Sequence, residues 1–275
     1  MLFSCGRYQL NLERPCVMGI VNVTPDSFSD GGKFAATEAA IAHGLELVAQ
    51  GAGILDIGGE STRPGANPVP LDEELARVIP VIEGLSKQVN VPISIDTYKP
   101  EVMRAAIAAG AAIVNDVFAL REPGGLEVVA ASDAGVCLMH SQGTPQNMQA
   151  DPQYQDVVTE VIGFLRERMA SAEAHGIARD RIMLDPGFGF GKRSVHNLAL
   201  LRELKILCEL GQPVLVGLSR KSVLGQITGN DVDARLHASI AAAVIAAMKG
   251  ARILRVHDVK ATVDALNIVS AVEAS

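Results

Sequence analysis

The chain has 275 residues, 48% of them apolar, with 26 glycines and a net charge of −7 from 24 Lys and Arg against 31 Asp and Glu. This composition describes a globular chain and excludes a disordered, fibrous or nucleic-acid-coating one. An acidic surface, with a pI near 5.4, repels nucleic-acid phosphates and anionic lipid, so any anionic ligand has to be small. The most apolar stretches run to about ten residues, far below the roughly 18 to 20 needed to cross a bilayer, and no membrane partner is expected. The first residues lack a basic segment leading into an apolar core, and Cys5, Cys16, Cys137 and Cys208 lie apart with no CxxC. The expected location is the cytoplasm, with reduced, structural cysteines.

Taken in chain order, the segment before residue 17 is expected to form a short hairpin that plugs one end of the fold. From there on, apolar β-branched runs at 17–23, 54–57, 91–95, 113–115, 136–139, 182–184, 214–216 and 252–256 predict strands. Helical segments rich in Ala, Leu and Glu fall between them at 35–50, 72–88, 100–109, 125–134, 155–175, 194–210, 233–249 and 259–274. Runs that are apolar throughout mark strands covered on both faces, as in parallel sheets. Eight βα units in about 250 residues fit an α/β fold of the (β/α)8 TIM-barrel kind, one domain over residues 1–275 with the short N-terminal hairpin. A doubly wound open sheet is the alternative, because periodicity alone cannot close a sheet.

Polar residues interrupt the apolar pattern at the C-terminal strand ends: Asn22, Asp56, Asp96, Asn115 with Asp116, His140, Asp185, Lys221, and Arg255 with His257. In a barrel these ends share one face, where the active site sits. One Asp alone reads equally well as a helix cap. Several carboxylates and amides converging beside one lysine need a ligand or cation to offset their burial. Asp96, Asn115 and Asp185 offer what a flat, donor-rich heterocycle requires. The glycines of Pro186-Gly187-Phe188-Gly189-Phe190-Gly191 match neither dinucleotide nor P-loop spacing and signal a phosphate loop only weakly. Ser219-Arg220-Lys221-Ser222 opens a helix whose free N–H groups attract an anion, and Arg255 and His257 with Asn22 can form a second anion pocket. The loops after the first and second strands are long, polar and glycine-rich, carrying Phe28 in one and Thr62, Arg63 and Pro64 in the other; such loops can fold over a ligand.

Two stretches, Gly19-Ile20-Val21-Asn22-Val23-Thr24-Pro25-Asp26-Ser27-Phe28-Ser29-Asp30-Gly31-Gly32 and Gly51-Ala52-Gly53-Ile54-Leu55-Asp56-Ile57-Gly58-Gly59-Glu60-Ser61-Thr62-Arg63-Pro64, resemble the two signatures of the dihydropteroate synthase family. The resemblance continues through Ser94-Ile95-Asp96-Thr97, Asn115-Asp116, Leu138-Met139-His140, Leu184-Asp185-Pro186-Gly187-Phe188-Gly189-Phe190-Gly191-Lys192, Ser219-Arg220-Lys221-Ser222 and Arg255-Val256-His257-Asp258. One departure is Val117-Phe118-Ala119, where many members carry a basic residue.

The resemblance implies a bacterial folate-synthesis transferase that joins 6-hydroxymethyl-7,8-dihydropterin diphosphate to 4-aminobenzoate, releases diphosphate, and is a target of sulfonamides. It implies pterin contacts from Asp96, Asn115, Met139, Asp185, Phe190, Gly217 and Lys221. Diphosphate falls to Asn22, Thr62, Arg255 and His257, with Mg²⁺ as cofactor on Asn22. Aminobenzoate falls to Phe28, Thr62, Arg63, Pro64 and Ser222. The residues expected to act in catalysis are Asp96, Lys221, Asn22 and Arg63. Departure of diphosphate would leave a cation at the pterin methylene that Asp96 stabilises, an SN1-like displacement. Two other classes compete: a barrel aldolase using Lys221 as a Schiff-base amine, and a pterin-binding methyl-transfer module awaiting a cobalamin partner. The aldolase leaves the first two loops idle, and the module would lack those loops and the Arg255/His257 pair. A homodimer through the last helices is expected because 240–248 is apolar nearly all round, a pattern that burial against the barrel also explains.

Overall fold

The computed structural model describes residues 1–23, 32–63, 65–144 and 146–273, with the backbone alone for 32–34. A hairpin of β1 (Leu2–Cys5) and β2 (Tyr8–Asn11) opens the chain. Eight parallel strands follow among the described residues: β3 (Cys16–Asn22), β4 (Ile54–Gly58), β5 (Ile93–Asp96), β6 (Ile113–Asp116), β7 (Gly135–Met139), β8 (Ile182–Asp185), β9 (Leu215–Val216) and β10 (Ile253–Val256). They lie in the order β8-β7-β6-β5-β4-β3-β10-β9. The segment entering β9 closes the ring, because Leu184 bridges Val214 in parallel and donates its N–H to the Pro213 carbonyl at 2.9 Å. The result is an α/β TIM barrel, as the strand count predicts, and the open-sheet alternative falls.

Helices α1 (Gly32–Ala49), α2 (Leu71–Ser86), α3 (Pro100–Ala109), α4 (Gly125–Ala130), α5 (Val157–Ala174), α6 (Ser194–Arg202), α7 (Leu204–Cys208), α8 (Ser222–Thr228), α9 (Leu236–Met248) and α10 (Val259–Glu273) form the outer layer. Local chemistry sets their ends. Pro100 starts α3 with its fixed φ, and Gly110 ends it at φ 114°, where a side chain would be strained. Asp156 caps α5 by accepting from the Val158 and Thr159 N–H groups. The helix predicted over 125–134 stops at Ala130, because the Ser132 hydroxyl donates to Val129 O and accepts from Ala134 N in place of the helical ladder. The one predicted over 194–210 breaks at Glu203, and the freed Arg202 carbonyl accepts from Lys249 Nζ at 2.9 Å.

Strand residues alternate between two cores. Outward side chains such as Leu55, Ile57, Ile95, Val114, Val136, Leu138, Ile182, Leu184, Leu254 and Val256 pack under the helices. Inward at the N-terminal strand ends, Met18, Ile54, Ile113, Cys137, Met183, Leu215 and Ile253 pack on Phe3, Cys5 and Leu12 of the hairpin segment. The hairpin is therefore the plug that the sequence predicts. It is latched by Gly6 N to Asp133 O at 2.7 Å and by Ser4 Oγ to Asp180 Oδ2 at 2.7 Å.

Candidate active site

At the opposite end the inward residues turn polar. Asp56, Asp96, Asn115 and Asp185 are all buried, at 0 to 9% exposure. Arg255 of β10 crosses the barrel to join two of them, its Nε donating to Asp56 Oδ2 at 2.6 Å and its Nη2 to Asp96 Oδ2 at 2.7 Å. Asn115 Nδ2 donates to the same Asp56 oxygen at 3.2 Å. Asp185 accepts from Gly187 N at 2.7 Å. Lys221 Nζ donates to the Phe188 carbonyl and sits 4.5 Å over the Phe190 ring centre. Three carboxylates thus face two cations on one floor, an excess of negative charge when all are ionised.

Burial sets the electrostatics. It lifts the Asp96 carboxyl to about 7, against the pull of Arg255 and with a further push from Asp56. Asp185 is raised by burial as well, with Lys221 opposing. Burial draws the Lys221 amine down to about 8, Asp185 working in the other direction. Burial also works against the Arg255 charge, but Asp56 and Asp96 outweigh it and the guanidinium stays protonated.

His257 bonds to Ser219, Nδ1 lying 3.0 Å from Oγ and its backbone N–H donating to that oxygen at 3.2 Å. Burial, then Arg255 and Arg220, lowers its pKa to about 4, so it enters neutral chemistry uncharged and as a hydrogen-bonding group. In the anion pocket predicted from Asn22, Arg255 and His257, the positive charge therefore comes from Arg255, and that guanidinium already spans two carboxylates. Arg220 is spent on Asp258, at 3.1 and 2.6 Å, and holds φ 58° at the turn into α8. Ser222 is exposed at the first turn of α8. Asn22 is exposed at the end of β3; a Cβ added to Gly58 would lie 3.9 Å from Asn22 Oδ1 and 3.8 Å from Asp96 Oδ2, so one small ligand over Gly58 reaches both. Met139 is buried beside Asp185 in the sheet register, and Gly217 lies below Arg255, with its added Cβ 3.8 Å from Arg255 Cβ.

Thr62 and Arg63 stand on a loop fixed from beneath. Glu60 accepts from Lys99 Nζ at 2.5 Å, Tyr98 OH at 3.1 Å and Val69 N at 3.0 Å. Lys99 also bonds buried Glu74 and Val69 O, while Arg77 Nη1 donates to Gly59 O at 2.6 Å. Phe28 and Pro64 lie outside the described residues. Two residues in the predicted strand-end set turn to other work. Asp116 points away from the mouth and accepts from Phe118 N and Leu120 N, both at 2.7 Å, which holds Ala119 and Leu120 at φ 55°. That turn is what Val117-Phe118-Ala119 forms, with Phe118 against Tyr98 at 5.0 Å. His140 faces Lys192, whose amine burial draws to about 7. The glycine run is not a phosphate cradle: a Cβ on Gly187 would meet His140 O at 1.9 Å and one on Gly191 would meet Gln142 O at 2.3 Å.

Sequence reasoning noted Asp56 without assigning it; its signal was a carboxylate inside the run Leu55-Asp56-Ile57. Lys192 closes a motif of the resemblance but carries no role there, since beside Arg193 it reads as surface, and the Glu60–Lys99–Glu74 cluster has no sequence signal because its partners are far apart in the chain. Two buried oxygens at this level, Asp56 Oδ1 and Ser94 Oγ, have no partner among the described residues.

The profile of the pterin binding enzyme family matches residues 18–257. The chain is 51% identical to the dihydropteroate synthase of Escherichia coli K12 over 270 residues, 98% of this chain and 95% of that protein. Among solved structures, a Xanthomonas albilineans dihydropteroate synthase with 4-aminobenzoic acid is similar with a TM-score of 0.95 and 57% identity, covering 100% of this chain and 98% of the other. A Yersinia pestis dihydropteroate synthase in a sulfonamide drug complex is similar with a TM-score of 0.95 and 48% identity, covering both chains in full. A barrel whose mouth is walled by buried carboxylates, an amide and two cations, and whose sequence is half identical to these enzymes over nearly its whole length, belongs to the pterin-binding enzyme family and, within it, to the dihydropteroate synthases.

Proposed function

We propose that this chain condenses 6-hydroxymethyl-7,8-dihydropterin diphosphate with 4-aminobenzoate to give 7,8-dihydropteroate and diphosphate, and that sulfonamides compete for the second substrate. The observation that carries this reading is the Asp56, Asp96, Asn115, Asp185, Lys221 and Arg255 floor. Carboxylates and the amide carbonyl suit the amino and ring N–H groups of a pterin, Lys221 suits its acceptor atoms, and Met139 and Phe190 suit its faces. The methylene carbon–oxygen bond breaks with its electron pair leaving on diphosphate. The aminobenzoate nitrogen then forms the new bond and sheds a proton. No protein nucleophile is required. Asp96, on the negative side of a water-poor floor, stabilises the cation at the methylene in the bond-breaking step.

Arg255 has two of its five N–H groups on Asp56 and Asp96 in the free chain. With Asn22, Thr62 and neutral His257 it forms the diphosphate end, while Arg63, Ser222, Phe28 and Pro64 serve the aminobenzoate end. Asn22 presents one neutral oxygen, and no cluster of three or more His, Cys, Asp or Glu suited to a metal occurs among the described residues. That donor set fits a Mg²⁺ that keeps most of its waters and takes phosphate oxygens as its other ligands. When bound, Mg²⁺ draws charge off the leaving diphosphate.

A homodimer fits the apolar face shared by α6, α8 and α9, where Leu198, Ile227 and Ile245 are 44 to 57% exposed. Among the described residues no helix is long and apolar enough to cross a membrane, and the cysteines are free thiols, as suits the cytoplasm. The test of the reaction is diphosphate release measured with each substrate alone and with both. Release that needs both, and stops with a sulfonamide in competition with aminobenzoate, is expected; borohydride trapping of a substrate on Lys221 would overturn the mechanism.

A further inference from the structure

Lys192 is a buried ammonium that the reaction above does not use. It is 2% exposed and stands at the end of the loop between β8 and α6. Its Nζ lies 2.9 Å from His140 Nδ1, 2.9 Å from Gly187 O, 3.0 Å from Phe190 O and 3.3 Å from His140 O. Three protons therefore meet four acceptors, and none of these acceptors is a carboxylate. A buried lysine held by three carbonyls and an imidazole nitrogen is costly to keep charged, and an apolar side chain of similar length fills the same volume at lower cost. What the lysine adds is geometry: it ties the loop at Gly187 and Phe190 to the end of β7.

The other side of that loop is the site itself. Gly187 N donates to Asp185, Phe188 O accepts from Lys221 Nζ, and Phe190 lies under Lys221. A Cβ on Gly189 would come 3.2 Å from Lys221 Cδ. The loop backbone is thus clamped between two ammonium groups, Lys221 on the ligand side and Lys192 behind. Gln149 Nε2 donates to Gly189 O and Tyr154 OH to Gly191 O at 2.8 Å, so when a pterin acceptor draws Lys221 away from Phe188 O, Lys192 is the group that still ties the Gly187 and Phe190 carbonyls to the end of β7.

We infer that Lys192 is a positioning residue for the pterin half of the reaction, holding the Gly187–Phe190 backbone so that Asp185, Phe190 and Lys221 keep their places when Lys221 turns to the substrate. His140 serves it as an acceptor with Nδ1 unprotonated, its ring seated edge-on against Phe164 at 4.9 Å. The inference rests on the pterin diphosphate reading of the site.

The experiment titrates pterin diphosphate into the wild-type chain and into Lys192→Met and Lys192→Gln by calorimetry, with steady-state kinetics for both substrates and a thermal melt of each. Lys192→Met takes the lysine donor from the Phe190 and His140 carbonyls and leaves Gly187 O with the Phe190 N–H alone, and pterin diphosphate is expected to bind about 10- to 100-fold more weakly. KM for aminobenzoate should stay where it is. Lys192→Gln, which keeps an N–H₂ group, should recover part of the loss. A folded Lys192→Met with unchanged pterin affinity overturns the inference, as does a parallel rise in both KM values, which is the mark of general loosening. Should Lys192→Met fail to fold, His140→Phe keeps the ring and removes one acceptor. It should weaken pterin binding alone and by less, and an unchanged affinity there overturns the inference equally. A wild-type chain that binds no pterin diphosphate would instead bring down the reading of the site.

Discussion

The two ends of the barrel are made by the same strands, two residues apart. At the hairpin end stand Ile54, Ile113, Cys137, Met183, Leu215 and Ile253, all buried. At the mouth, on the same inward face, stand Asp56, Asn115, Met139, Asp185, Gly217 and Arg255. One end is held by apolar burial against Phe3 and Leu12, which asks nothing of a ligand. The other is held by a circuit of charges in which carboxylates outnumber cations and two buried oxygens lack partners among the described residues. The difference locates stability at one end and ligand chemistry at the other, with a single step of the period-two repeat between them.

Moving the chemistry of one end to the other breaks that division most severely. Ile54→Asp puts an unpaired carboxylate into the apolar layer, at a penalty of several kcal/mol, and no soluble folded chain is expected at 37 °C. Recovery of a cooperative melt near that of wild type would mean that the layer is wetter than described. Phe3→Ala keeps the layer apolar but empties it, since the ring touches Gly135 from below. A loss of about 3 kcal/mol in urea unfolding is expected, with activity per folded molecule unchanged; an equal fall in kcat would tie the plug to the mouth.

The pH dependence of stability sharpens the comparison at the mouth. The raised Asp96 pKa means that the folded chain keeps a proton that the unfolded chain releases between about 4 and about 7. Asp96 therefore contributes stability below that window that is lost as pH rises through it. In Asp96→Asn that loss is absent, so the melting temperature of the variant relative to wild type should climb between about pH 5 and pH 8. A difference that is flat or declining across this range would contradict the burial argument. The smallest change is Ser94→Ala, which removes a buried, unpartnered hydroxyl from the level of Asp56. Its effect on stability should lie within about 0.5 kcal/mol of zero or be favourable, and a loss well beyond that would reveal a bound partner for Ser94.

Much of this division was legible in the sequence. The outward side chains, Asp116 apart, are apolar because helices cover them, which is why eight runs are countable. Asp96, Asn115 and Asp185 stand out because each closes such a run, and Arg255 because it interrupts the last one. What the sequence could not tell was which of two adjacent polar residues points inward. Asn115 and Asp116 look alike in the chain, yet one bonds Asp56 and the other caps a turn. Nor does it register pairings made across the barrel. Arg255 and Asp56 are 199 positions apart, and their ion pair means that Arg255 is already tied to the carboxylate floor before any anion arrives. Lys192 was hidden for a different reason, since a lysine followed by Arg193 and Ser194 carries no mark of burial.

The claim on which the mechanism turns is that the Asp96 charge acts on the breaking bond and not only on the pterin. Asp96→Asn keeps the shape and one acceptor while removing the charge. Single-turnover cleavage of the pterin–diphosphate bond, followed with the pterin dissociation constant, separates the two roles. A cleavage rate lower by about 10² or more, with a much smaller loss of pterin affinity, is expected. An undiminished cleavage rate accompanied by a steep rise in the dissociation constant would contradict it.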